Sequence, residues 1–310
     1  MKKVITLLLA LTLILTACDT AGNTKETKVE ETGKKIVTSS TSFVDDMVNI
    51  LAGDKVERKL IIPHGEDPHT YTASPKDLAK VTETDLLLYH GLHFEGKMAD
   101  VLNEHGLSIS KDFDSNKIGI FEEDGVKAED PHFWFDLDLY KEALKVVKDE
   151  LVKLLPEDES NITKNYDEYV GKLDELDKYI EERLAEIPAD SRYLITPHDA
   201  FNYFSNRYGI EVMAPQGIST DSEVANSEIE KTANFIVEKK VKAIFAESTT
   251  NPQRMEKLRE VVKSKGFDVT VVQGEDKELF SDSLAPQGSK GDTFIDMYKH
   301  NVDLIVDNLK

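Results

Sequence analysis

His69, His132 and His198 each follow a proline, and the first two share the tripeptide Asp-Pro-His. Proline fixes the backbone before each ring, which limits how far the imidazole wanders. Neutral imidazole offers one nitrogen lone pair, and Asp282 could add a carboxylate oxygen. Three nitrogens and one oxygen suit zinc or manganese. A lone histidine in such a loop is better explained as a hydrogen-bonded loop or cap residue. Two Pro-His pairs can also arise by chance, so the residues alone leave both readings open. Glu247, at a strand end, could accept the N–H of a ligand imidazole or stand as a surface carboxylate. His64 reads first as a loop residue or one lying behind a ligand, and second as a ligand itself. His90 and His93 read as strand-end caps or solvent-facing groups ahead of groups that approach the metal, and His105 and His300 as surface residues.

These groups need elements to hold them. Short apolar strands alternate with amphipathic helices along the whole chain, which predicts α/β architecture with mostly parallel sheets flanked by helices. Open parallel sheets bind ligands in the crevice beyond the carboxyl ends of their strands. His69 comes shortly after a strand at Arg58–Ile62, and His198 directly follows one at Tyr193–Thr196. A further strand is expected at Lys117–Phe121. Between the two halves lies Pro156–Ile187, whose apolar residues recur every three or four positions, the spacing of one helical face. Acids at Glu157, Asp158 and Glu159 suit its start, and Pro188 its stop. At ~1.5 Å per residue this helix would span roughly 45 Å. The layout expected is an N-terminal lobe at 35–155, a rigid linking helix at 156–188 and a C-terminal lobe at 189–310. Two ligands from each lobe would then meet across a cleft.

The bulk properties narrow the function. The chain has 310 residues, is 40% hydrophobic and carries a formal net charge of −21. Nucleic acid would be repelled by that charge. A cation binder or simply a well-solvated protein fits it. The one cysteine is Cys18. It follows Met1-Lys2-Lys3 and an apolar run, Val4–Thr16, that is too short to span a membrane and has the layout of a secretory signal. Leu15-Thr16-Ala17-Cys18 resembles a bacterial lipobox. This predicts a signal peptide at 1–17, a lipid on Cys18 holding the protein to the extracytoplasmic face of the cell membrane, and a polar tether at 18–34. Neither a Ser/His/Asp nor a His-Glu-x-x-His arrangement is present. Four protein ligands leave no open position for catalytic water. The expectation is therefore not an enzyme. A surface metal-dependent hydrolase and an adhesin are the rival readings.

The chain resembles the metal-binding lipoproteins of bacterial manganese and zinc ABC importers, the cluster A-I or zinc-uptake-A-like family. The motifs that carry the resemblance are His64-Gly65-Glu66-Asp67-Pro68-His69-Thr70-Tyr71, Tyr89-His90-Gly91-Leu92-His93-Phe94-Glu95, Asp130-Pro131-His132-Phe133-Trp134-Phe135-Asp136, Pro197-His198-Asp199-Ala200-Phe201-Asn202-Tyr203-Phe204 and Phe280-Ser281-Asp282-Ser283. By that resemblance His69, His132, His198 and Asp282 are the metal ligands, Mn2+ or Zn2+ is the transported cargo, and an ABC permease with its ATPase is the partner of a monomer. Some manganese binders of the family carry Glu at the third ligand, where this chain has His198, and His90 stands where relatives carry Asn. Zinc-specific relatives often carry a His-rich loop, and the matching Phe121–Asp130 region has no histidine, so manganese is expected ahead of zinc. The long helix would restrict closure to a small tilt. Affinity is expected to fall below about pH 6, where imidazole takes up a proton.

Overall fold

The computed structural model describes residues 33–123 and 126–310. The expected signal peptide, the lipid site Cys18 and nearly all of the tether lie outside the described residues. Among the described residues no helix is long and apolar enough to cross a membrane.

Apolar strands and amphipathic helices alternate as the sequence pattern requires. The chain opens with β1 (Ile36–Ser39), α1 (Ser42–Ala52), β2 (Glu57–Leu60), α2 (Pro75–Thr82), β3 (Leu86–Tyr89), α3 (Ala99–His105) and β4 (Leu107–Ser108). These strands form one parallel sheet in the order β2-β1-β3-β4. Next come β5 (Ile120–Glu123), β6 (Val126–Glu129), α4 (Leu137–Leu154) and α5 (Glu159–Leu184). After α5 follow β7 (Tyr193–Ile195), α6 (Asn202–Tyr208), β8 (Glu211–Met213), α7 (Asn226–Lys239), β9 (Ala243–Phe245), α8 (Gln253–Ser264), β10 (Thr270–Val272) and α9 (Phe294–Leu309). β7 pairs with β8 and β9 with β10, again in parallel. Two isolated bridges lie past the strand ends: His198 to Gln216 continues the β7–β8 pair, and Glu247, just after β9, pairs with Leu279 in the segment beyond β10.

The long helix is present with shifted ends. Pro156–Asp158 forms a 3-10 turn, and the α-helix runs from Glu159 to Leu184, four residues short of Pro188. Ala185, Glu186 and Ile187 still donate to carbonyls of the last turn, and Ile187 packs into the core. Ile162, Tyr169, Leu173, Leu176, Ile180 and Leu184 form its buried face. They belong to one core that also takes in Val37 and Phe43 from before the helix and Phe245, Phe294 and Tyr298 from after it. The helix is thus the spine of a shared core. A second core behind β7 and β9 includes Ile195, Ile236, Ile244 and Leu258.

The strand expected at Lys117–Phe121 starts later. It is β5, and it pairs antiparallel with β6, an exception to the parallel rule. This hairpin has an exposed face (Ile120 is 58% exposed), so it lacks the continuous apolar run of a buried strand.

Candidate metal centre

A short local device builds two of the histidine loops. In Asp67-Pro68-His69, Asp67 Oδ1 accepts the His69 backbone N–H at 2.9 Å. In Asp130-Pro131-His132, Asp130 Oδ1 accepts the His132 N–H at 3.0 Å. An aspartate closing on the amide two residues later is an Asx turn, and the intervening proline restricts the backbone it closes. The third loop differs: Thr196 Oγ1 donates to the His198 carbonyl at 2.9 Å, and the bridge to Gln216 fixes the strand end.

The Asp282 loop is held from both sides of the chain. Trp134 Nε1 donates to the Ser281 carbonyl at 3.0 Å. The Gly65 N–H donates to Ser283 Oγ at 2.8 Å, and the Leu284 N–H to Ser42 Oγ at 2.9 Å. His64 does not reach the cluster. It is half-buried, and its Nδ1 lies 2.8 Å from the Ala285 carbonyl, so it ties the His69 loop to the Asp282 loop.

Among the described residues, His69, His132, His198 and Asp282 form one buried group whose donor atoms lie within 4.8 Å of one another. His132, His198 and Asp282 are fully buried, and His69 is 4% exposed. The Nε2 atoms of all three histidines and Asp282 Oδ1 have no hydrogen-bond partner. Asp282 straddles the group, with Oδ1 3.4 Å from His132 Nε2 and Oδ2 3.2 Å from His198 Nε2. Buried polar atoms left unpaired are costly, and four converging on one point are what a cation would satisfy.

Carboxylates behind the rings set which nitrogen faces inward. Asp130 Oδ1 lies 2.7 Å from His132 Nδ1, and Glu247 Oε2 lies 2.5 Å from His198 Nδ1. With Nδ1–H donated outward, each Nε2 presents its lone pair to the centre. Burial opposes charge on His132, but Asp130 and Asp282 outweigh it and raise its pKa to about 9. His198 is likewise raised, with Asp282 and Glu247 overcoming burial. Burial lowers His69 to about 3, so it is neutral. Burial also works against charge on Asp282, yet the histidines hold its pKa well below the usual carboxylate range.

The other histidines are placed as follows. His93 and His105 are exposed. His90 is not a solvent-facing cap but 1% exposed, and its ring lies 4.4 to 4.8 Å from those of Phe133, Phe94 and Trp134. His300 is buried rather than at the surface, with Nε2 2.9 Å from the Glu278 carbonyl and its ring 5.1 Å from that of Phe280. His90 moves inside because Phe133 and Trp134, distant in sequence, close over it beside Phe94, and His300 because it packs on Phe280. The role of Asp130 escapes a reading that searches for ligands alone, although its repetition in Asp-Pro-His was the available signal.

With this geometry in view, comparison with known proteins is decisive. Residues 37–308 match the ZnuA family model, described as zinc-uptake complex component A, periplasmic. The chain belongs to this family. ZnuA-family proteins are metal-binding substrate proteins of manganese and zinc ABC importers, a transport function rather than a catalytic one. The chain is 37% identical to the zinc-binding protein TroA of Treponema pallidum over 280 residues, covering 88% of each. It is 35% identical to the manganese-binding lipoprotein MntA of Bacillus subtilis over 306 residues, covering 96% of each. A solved TroA structure studied for its metal-binding specificity superposes with a TM-score of 0.88 at 57% identity, covering 89% of this chain and all of that one.

Proposed function

We propose that His69, His132, His198 and Asp282 coordinate one Mn2+ or Zn2+ ion, which this protein captures outside the cytoplasm and delivers to the permease of an ABC importer driven by its ATPase. The observation that carries this reading is the convergence of three unpaired Nε2 atoms and one carboxylate in a buried site. The relatives support the cargo class, one being zinc-binding and another a manganese-binding lipoprotein. Lobes at 35–155 and 189–310 contribute two ligands each, and the helix within 156–188 holds their spacing. A signal peptide at 1–17 and a lipid on Cys18 place the protein on the membrane as a monomer, with 18–34 as its tether. Manganese and zinc titrations of chelated protein, followed by thermal melting, test the site. Saturating metal at about 1,000 times its Kd adds roughly 4 kcal/mol of stability, and His132→Ala should abolish most of that shift. Unchanged affinity in His132→Ala would remove the residue from the site.

A further inference from the structure

The segment 214–225, between β8 and α7, runs as a strap beside the metal centre. Its start is fixed against a ligand by the bridge between Gln216 and His198. Gln216 Nε2 then donates to the carbonyls of Thr220 at 3.0 Å and Ser222 at 2.6 Å, which curls the strap. From that curl the Thr220 hydroxyl donates to Asp67 Oδ2 at 2.5 Å. The other oxygen of Asp67 holds the His69 N–H. A chain of polar contacts therefore runs around the outside of the centre, from the backbone of His198 through Gln216, Thr220 and Asp67 to the backbone of His69.

Two further features bear on this chain. His69 is the one ligand of the four with residual exposure, at 4%, so solvent comes nearest the centre on its side. Among the described residues, the Thr220–Asp67 contact is the one side-chain hydrogen bond that joins the strap to loop 63–71. The strap also has space behind it. A cavity of about 450 Å³ is lined by Pro197, Pro215, Thr220, Val224, Arg254 and Leu258. Close-packed interiors resist displacement, and a segment backed by a cavity does so less.

We propose that the Thr220 hydroxyl is a positioning group that keeps the strap closed over His69 and so sets the rate at which the bound ion leaves. This rests on the metal-binding reading of the cluster. The ion departs on the His69 side, after Thr220 releases Asp67 and the strap retreats toward the cavity. The Thr220 hydroxyl makes its hydrogen bond to Asp67 and none to a ligand side chain, so it acts on release through Asp67.

The test is stopped-flow transfer of Mn2+ or Zn2+ from the loaded full-length protein to excess EDTA. Thr220→Val keeps the shape and removes the donor. It should release metal about tenfold faster or more, the scale expected for losing a hydrogen bond to a charged group. Thr220→Ser restores the donor and should return the rate to within about twofold of the parent. Thr220→Ala is a second hydroxyl-free variant, read in the same way if Thr220→Val does not fold. Release from both hydroxyl-free variants at the parental rate overturns the proposal. So does a serine variant as fast as valine, because the methyl group rather than the hydroxyl would then be responsible. Failure of the parent protein to take up either metal would overturn the metal reading instead, and that outcome is visible before any variant is made.

Discussion

Lowering the pH should weaken metal binding, and the structure moves the window in which it does so. A free histidine has a pKa near 6.5, which alone would confine the effect to acid below about pH 6. Here the metal-free centre holds His132 up to about 9, because Asp130 and Asp282 outweigh its burial. His198, between Asp282 and Glu247, is raised in the same direction. Both Nε2 positions must lose a proton before a cation can bind, whereas His69 is already neutral. Each released proton changes the binding free energy by about 1.4 kcal/mol per pH unit, or tenfold in Kd. Where both groups still hold their protons, the release of two steepens this toward about a hundredfold per unit. The sign follows directly: protonated groups favour the metal-free state, so Kd falls as pH rises until it passes the raised pKa values. Isothermal titration calorimetry in buffers of different ionisation enthalpy counts these protons. The expected count at pH 7 is about two per ion, from His132 and from the His198–Glu247 pair. A count near zero at pH 7, with Kd flat from pH 7 to 8, would refute the argument.

The remaining predictions address the groups that hold the ligands. Removing the carboxylate in Asp130→Ala takes away the acceptor for both the His132 N–H and its Nδ1. Metal affinity should fall about 10- to 100-fold, as for other partners behind a ligand histidine, and calorimetry at pH 7.5 reads it. Gly96 has φ +45, and a Cβ there would lie 2.1 Å from the His69 carbonyl oxygen. Gly96→Ala should therefore displace the His69 loop and weaken binding by about tenfold or more while the metal-free fold persists, since errors of 1 Å at a site are costly. Competition against a chelating dye, together with the circular dichroism of the metal-free variant, checks both halves of that statement.

The alternation of strands and helices, the long helix and the ligand loops are local patterns, and the sequence carries them openly. What it hides is pairing over distance. The Asp282 loop is clamped by Ser42 and Gly65, more than 200 residues earlier in the chain, and no spacing rule announces that. His90 has the look of a strand-end residue because its cage of Phe94, Phe133 and Trp134 is assembled from two separate loops. The hairpin β5–β6 was obscured because its exposed face interrupts the apolar run. The end of α5 lies earlier than Pro188 because a proline marks only the latest possible stop, and after Leu184 the chain tightens to three-residue hydrogen bonds that leave Ile187 buried. Asp130 is the instructive case. The repeated Asp-Pro-His displays two histidines as ligands, while its aspartates shape both turns.

The charge carried by the site explains why zinc and manganese both come within its reach. Asp282 contributes one negative charge, and the carboxylates of Asp130 and Glu247 behind His132 and His198 add two more. In the metal-free centre, protons on His132 and on the His198–Glu247 pair cancel two of these. A divalent ion that displaces both protons leaves the same net charge. Loading is thus an exchange of two protons for one dication, and the long-range Coulomb term is nearly unchanged by it. That term is also the same for any divalent metal, so it gives no discrimination. Selectivity must then come from donor type and coordination number. The donor set is three nitrogens with a carboxylate whose two oxygens both face the histidines, at 3.4 and 3.2 Å from His132 and His198 Nε2. Using one oxygen, Asp282 completes the four-coordinate shell that zinc favours. Using both, it supplies a fifth bond that manganese accepts. The rotation of this one carboxylate is where the two metals part.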